Sequence, residues 1–168
     1  MTGQLRGISP ARVRRLAEAY YSTWDYYCSE AIVKTIGDEF QSGWPPEIVA
    51  AASGFPVGFG GAGCTCGALS GGVLAIGMFF GRTEPRDPRS ETALELSRKL
   101  HEFFIAQRRS TCCRKLTRDM VMGSPEHMSQ CIAITGEIAE QTARLIAVEL
   151  GLTLLEDDLV TEQVGITA

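Results

Sequence analysis

The chain has 168 residues and a mass of 18.2 kDa, enough for one domain that buries a core without disulfide staples. Its 45% hydrophobic and 21% charged residues exclude a disordered tail or a fibre. A net charge of −4 disfavours a nucleic-acid-binding surface, which is usually strongly basic. The N-terminus lacks the apolar run and small-residue cleavage site of a secretory signal. Ser9-Pro10 then opens a first helix, with Val13, Leu16, Ala17 and Tyr20 at helical spacing. Asp25 is the predicted N-cap of a second helix that turns Tyr27, Cys28, Ala31 and Ile32 inward. Pro45-Pro46 precedes a short helix, Glu47 to Ala52, that stops at Gly54.

Residues 54–67 are a glycine-rich loop, where the backbone must turn sharply or approach something closely. A small-residue helix follows from Gly67 to about Phe80, with Gly67 and Gly71, and Gly77 and Gly81, four apart. That spacing would let another helix or a ligand near its backbone. At 15 residues, the apolar stretch 67–81 falls short of the roughly 20 needed to span a bilayer. Residues 82–89 read as a loop. Ser90 opens a helix whose apolar face is Leu94, Leu96, Leu100, Phe103 and Phe104. Residues 109–123 are polar and punctuated. Ser124-Pro125-Glu126 starts a long helix that ends at Gly151 and turns Cys131, Ile134, Ile138 and Leu145 inward. The expected fold is all-α: one bundle of five to six helices over 1–150, then an acidic tail, 151–168, with a short strand or helix. No membrane insertion and a cytoplasmic location are expected, where cysteine is a reduced thiol.

The six cysteines are Cys28, Cys64, Cys66, Cys112, Cys113 and Cys131. No C-x-x-C, C-x-x-C-H or ferredoxin spacing is present, so zinc ribbons, thioredoxin-type motifs and covalent haem are unsupported. Cys66 lies just before a predicted helix, whose positive end favours thiolate. Cys112 and Cys113 are flanked by Arg108, Arg109, Arg114, Lys115 and Arg118, which should lower a thiol pKa. For Cys28 and Cys131, on apolar stripes, the plain alternative is an inert core thiol.

The run Cys66-Gly67-Ala68-Leu69-Ser70-Gly71 resembles the C-G-A-x-x-G motif of the C_GCAxxG_C_C family of redox-active proteins. The order of the segments YYCSEAI, CGALSG, CCRKL and SQCIAIT fits as well, over roughly residues 15–150. The resemblance implies four site cysteines: Cys28, Cys66, Cys113 and Cys131, with Gly67 beside the site. A related module in split-Soret cytochromes c carries an iron–sulfur cluster, which implies a four-cysteine 2Fe–2S site here. Haem motifs are absent from this chain. Cys64 and Cys112 depart from the pattern, and the choice of Cys113 over Cys112 rests on the Arg114-Lys115-Leu116 that follows. Zinc is the other metal such a set would take. The alternative function is a metal-free thiol–disulfide protein using Cys66 and Cys112 or Cys113. A third reading is a helical domain with inert thiols, or a small-molecule binder.

Gly58 to Gly63 formally matches G-x-G-x-x-G, but no strand is expected before it, so a tight wrap around Cys66 is the better reading. His101 reads as a surface residue. His127, four residues before Cys131, does too, with a supporting role at the site as the alternative. Tyr20-Tyr21, Tyr26-Tyr27 and Trp24 read as packing. Residues 82–118 carry net +5 and residues 119–168 net −8, which reads as solvated helix faces, with docking of a redox partner protein as the alternative. The small-residue helix and the apolar tail (Leu152, Leu154, Leu155, Val160) leave a homodimer open.

Overall fold

A computed structural model of the chain describes residues 5–156. The fold is all-α. Five helices carry it: α1 Pro10–Ser22, α2 Cys28–Glu39, α5 Gly67–Phe80, α6 Ser90–Arg108 and α8 Pro125–Glu149. Three short pieces, α3 Glu47–Ala51, α4 Pro56–Phe59 and α7 Cys113–Leu116, lie in the connections. The strands are two residues each. β1 Gly7–Ile8 pairs in parallel with β2 Thr153–Leu154, which ties the start of the acidic segment to the N-terminal end of the bundle. Val160 and the rest of 157–168 lie outside the described residues. No helix among the described residues is long and apolar enough to cross a membrane.

Helix α5 is the centre, packed on α2, α6 and α8, while α1 runs along α8 and against α2. The core joins Val13 and Ala17 of α1, Ile32 and Ile36 of α2, Leu69 and Ile76 of α5, Leu100 and Phe104 of α6, and Ile138 and Ile146 of α8. Small residues on α5 allow the close approach. A Cβ at Gly71 would stand 2.7 Å from the Ser29 carbonyl oxygen and 2.8 Å from its Cα. One at Gly72 would meet Leu100 and Thr142 at 2.7 Å. Gly77 has open space around it, so only the first glycine pair marks a helix crossing.

The ends of the helices follow local chemistry. Ser9 caps α1 by accepting from the Arg12 N–H at 3.2 Å, and Ser124 caps α8 by accepting from the His127 N–H at 3.2 Å. Helix α2 begins at Cys28, two residues later than the Asp25 cap predicts. The Asp25 carboxylate instead accepts from the Thr23 hydroxyl at 2.6 Å, and Trp24 takes φ +62° to reverse the chain. Glu30, at the third helical position, accepts from the Tyr27 N–H at 2.8 Å and from the Ser53 hydroxyl at 2.5 Å. Ser29 donates to the Ala52 carbonyl at 2.9 Å. These bonds fix the first turn of α2, and Cys28 with it.

Arg109 ends α6 in a left-handed conformation, φ +61°, with its side chain exposed. A residue with a Cβ is strained there, and glycine is the usual solution. Arg109→Gly is therefore expected to stabilise the fold by about 1 kcal/mol, read as a higher urea midpoint at unchanged slope. A lower midpoint would show that the Arg109 side chain matters more than the backbone strain.

Candidate functional site

Four cysteines from distant parts of the chain line one cavity. They are Cys28 at the first position of α2, Cys66 at the N-cap of α5, Cys113 at the start of α7, and Cys131 in the second turn of α8. Around them stand Tyr21, Val57, Gly67, Leu116, His127 and Thr135. The cavity holds about 30 Å³, the space of one water molecule. Among the described residues, no three His, Cys, Asp or Glu groups are placed to hold a single ion. All six cysteines are free thiols.

The glycine-rich segment positions two of the four. Gly58 passes so close to the chain that a Cβ there would lie 2.4 Å from the Cys64 nitrogen. The tight-wrap reading of this segment therefore holds, and the dinucleotide reading fails, because helix rather than strand precedes it. A Cβ at Gly67 would stand 2.5 Å from the Cys28 sulfur, so Gly67 is what lets α5 begin against that thiol. The chain turns left-handed at Val57 (φ +54°), Gly58, Phe59 and Gly60. For a β-branched residue this backbone is strained by about 1–2 kcal/mol. The turn brings the Val57 N–H onto the Cys28 sulfur, where it favours thiolate.

A short antiparallel bridge places Cys113, and not Cys112, at the cavity. Thr65 and Cys112 face each other; the Cys66 N–H donates to the Thr111 carbonyl at 2.8 Å, and the Cys113 N–H to the Cys64 carbonyl at 2.5 Å. Successive residues of an extended segment alternate faces. Cys113 is buried toward the cavity, whereas the Cys112 thiol donates to the Gly63 carbonyl at 3.3 Å, outside it. Cys64 is exposed.

Burial dominates the electrostatics. The Cys66 thiol is pushed up to about 11 by desolvation, against the N–H groups of Ala68 and Leu69 and the guanidinium of Arg108. Cys131 is pushed up to about 12 by desolvation and by its neighbours Cys66 and Cys113, against a hydrogen bond with Tyr21. Desolvation raises Cys28 further and raises Cys113 as well. The expectation that the helix end at Cys66 and the cations around Cys113 would lower these pKa values is thus corrected. Water is excluded, and Arg108, which pairs with Glu137, acts on Cys66.

Two further side chains stand at the site. Tyr21, not Tyr20, continues the inward stripe of Val13 and Ala17; it is buried, and its hydroxyl feels all four thiols. Its spacing of four from Ala17 is the signal that would have found it. His127 is buried, 5% exposed, rather than a surface histidine. Its Nδ1 accepts from the Gly123 N–H at 3.2 Å, which places the proton of the neutral ring on Nε2, 3.6 Å from the Cys131 sulfur. His101 is exposed, as expected.

The raised thiol pKa values make the metal-free, reduced protein sensitive to alkali. Below the ordinary cysteine value of 9.0 the thiols are protonated in both folded and unfolded chains, and stability is full. Above it the unfolded chain loses protons that the folded chain keeps up to about 11 at Cys66 and about 12 at Cys131, so stability falls as pH rises. Urea unfolding under strong reductant should show a loss of more than about 1 kcal/mol between pH 8 and pH 10. A flat profile would mean that the thiols are not buried.

The sequence model of the family described as "Putative redox-active protein (C_GCAxxG_C_C)" matches residues 26–145. No curated protein and no solved structure matches the chain. The matched segment begins just before Cys28 and ends beyond Cys131, so it takes in all four cavity thiols and both outer ones; the chain belongs to the C_GCAxxG_C_C family.

Proposed function

We propose that the four-thiol cavity holds a cysteine-ligated iron–sulfur cluster of the 2Fe–2S type, and that the protein is a one-electron carrier or sensor. The observation that carries this reading is the cavity's lining: four thiols, no carboxylate, and His127 as the one basic side chain. Iron–sulfur clusters take thiolate ligands and are tuned by N–H bonds to sulfur and by exclusion of solvent. Cys28, Cys66, Cys113 and Cys131 would hold the cluster, which supplies one reversibly exchanged electron when bound. The N–H groups of Ser29, Val57, Ala68 and Leu69 act on the sulfurs of Cys28 and Cys66. Tyr21 and His127 act on Cys131. Arg108 offsets negative charge near Cys66.

The cavity admits one water-sized body, so loading requires the thiol side chains to turn outward. Because the thiols are protonated at neutral pH, loading releases protons and is favoured by mild alkali. Exposed Arg114 and Lys115 on α7, next to Cys113, form the surface for a redox partner protein.

The test is anaerobic purification without chelator, followed by a visible spectrum and assays of iron, zinc and acid-labile sulfide. Broad absorbance between about 400 and 500 nm, with about two irons and two sulfides per chain, is expected. One zinc per chain without sulfide would replace electron transfer by a structural metal. A protein that takes up no metal even after incubation with iron and sulfide would overturn the reading.

A further inference from the structure

Cys64 is the one exposed thiol of the six, and it lies across the bridge from Cys113. The Thr65–Cys112 pairing sets that register, and the bond from the Cys113 N–H to the Cys64 carbonyl confirms it. Cys64 and Cys113 share this one backbone bond, the Cys64 N–H going to the Gly58 carbonyl instead, and one such bond brings the two Cα atoms to about the 5.5 Å of a hydrogen-bonded antiparallel pair. That lies inside the span of about 4.4–6.8 Å that disulfides occupy. The Cys113 thiol faces the cavity and the Cys64 thiol faces solvent, so joining them requires a side chain to turn. Two further bonds hold the segments together: the Arg114 N–H donates to the Gly63 carbonyl at 3.0 Å, and its guanidinium to the Ala62 carbonyl at 2.7 Å. The neighbouring Cys112 thiol is already directed to the Gly63 carbonyl.

We propose that Cys64 is a redox switch for the site: oxidation by a peroxide joins it to Cys113 as a disulfide and withdraws Cys113 from the cavity. The Cys64 thiolate attacks one peroxide oxygen; the O–O bond breaks, and an alcohol or water leaves, giving a sulfenic acid on Cys64. The Cys113 thiolate then attacks the Cys64 sulfur, the S–O bond breaks, and hydroxide leaves as water. The two thiols lose two electrons and two protons, and the peroxide takes up both. Rotation of the Cys113 side chain from the cavity toward Cys64 is the only large movement required. A dithiol reductant reverses the step. The thiol pair stands whether or not the cavity is loaded; the consequence, release of a bound metal centre, rests on the function proposed above.

The full-length protein, as purified and after treatment with a chelator, is exposed to hydrogen peroxide, alkylated and digested with trypsin without reduction. A cross-link between peptides 35–82 and 110–114 is expected. It should be absent from Cys64→Ser and Cys113→Ser and retained in Cys112→Ser. Because Cys64 is exposed, its substitution leaves the fold intact. In the metal-loaded preparation, iron and sulfide should leave in step with the cross-link. No cross-link in the chelator-treated protein, or one that survives in Cys64→Ser, overturns the switch. A cross-link lost in Cys112→Ser but kept in Cys113→Ser assigns the pair to Cys64 and Cys112 and also overturns it. A chain that never carries metal counts against the cluster and leaves the cross-link prediction standing.

Discussion

Gly71→Ala is expected to destabilise the protein by about 3 kcal/mol, the upper end of what overpacking a core costs. Alanine ordinarily stabilises a helix interior by about 1 kcal/mol over glycine, so the sign is reversed here. The reason is the crossing of α2 and α5. An alanine Cβ at this position would meet the Ser29 carbonyl oxygen and Cα, which are backbone and cannot swing aside as a side chain would. The first turn of α2 would be pushed off α5, and Cys28 lies in that turn. Gly77→Ala, six residues further along the same helix, is the control. Nothing stands within 4 Å of its Cβ, and a gain of about 1 kcal/mol is expected. Urea unfolding of both variants measures the difference. Two effects of the same sign would mean that helix propensity, and not the crossing, decides.

The second large effect is on metal retention. Serine in place of Cys28, Cys66, Cys113 or Cys131 should lower the protein's hold on iron by more than about tenfold. That is already the lower end of the cost of losing an outer-shell partner alone. Serine at Cys64 or Cys112 should leave iron content unchanged, because neither thiol reaches the cavity. The contrast between Cys112 and Cys113 is the sharp part of this prediction, since the two are adjacent in sequence. Iron assays on the six variants after anaerobic incubation with iron and sulfide give the answer. Loss of iron in Cys112→Ser with retention in Cys113→Ser would reverse the assignment made by the Thr65–Cys112 bridge.

The elements with strong local signals were legible in the sequence. Ser9-Pro10 and Ser124-Pro125 mark the starts of α1 and α8 because a hydroxyl followed by proline is itself the capping chemistry. The small-residue helix begins at Gly67 and ends at Phe80, as its flanking glycines indicate. The start of α2 was not legible at Asp25, because a distant partner, Ser53, helps Glu30 fix the helix two residues later. The site was legible as a set of thiols in order, but not as an environment. The helix end and the nearby cations argue for low thiol pKa values, and the burial that overrides them is a property of the packed fold. The left-handed turn at Val57 has no signal in its own residue type, since valine is among the poorest choices for that backbone. His127 was visible as a neighbour of Cys131 on the helix. Its burial and its tautomer depend on Gly123 and on the chain wrapped around it.

The central claim is that Cys28, Cys66, Cys113 and Cys131 act together on one metal centre. The direct measurement is diffraction from crystals of the anaerobic, iron- and sulfide-loaded protein at the iron absorption edge. Anomalous density is expected in the cavity between those four sulfurs, bordered by Tyr21 and His127. Density beside Cys64 and Cys112, or a cavity without density in crystals whose protein contains iron, would contradict it.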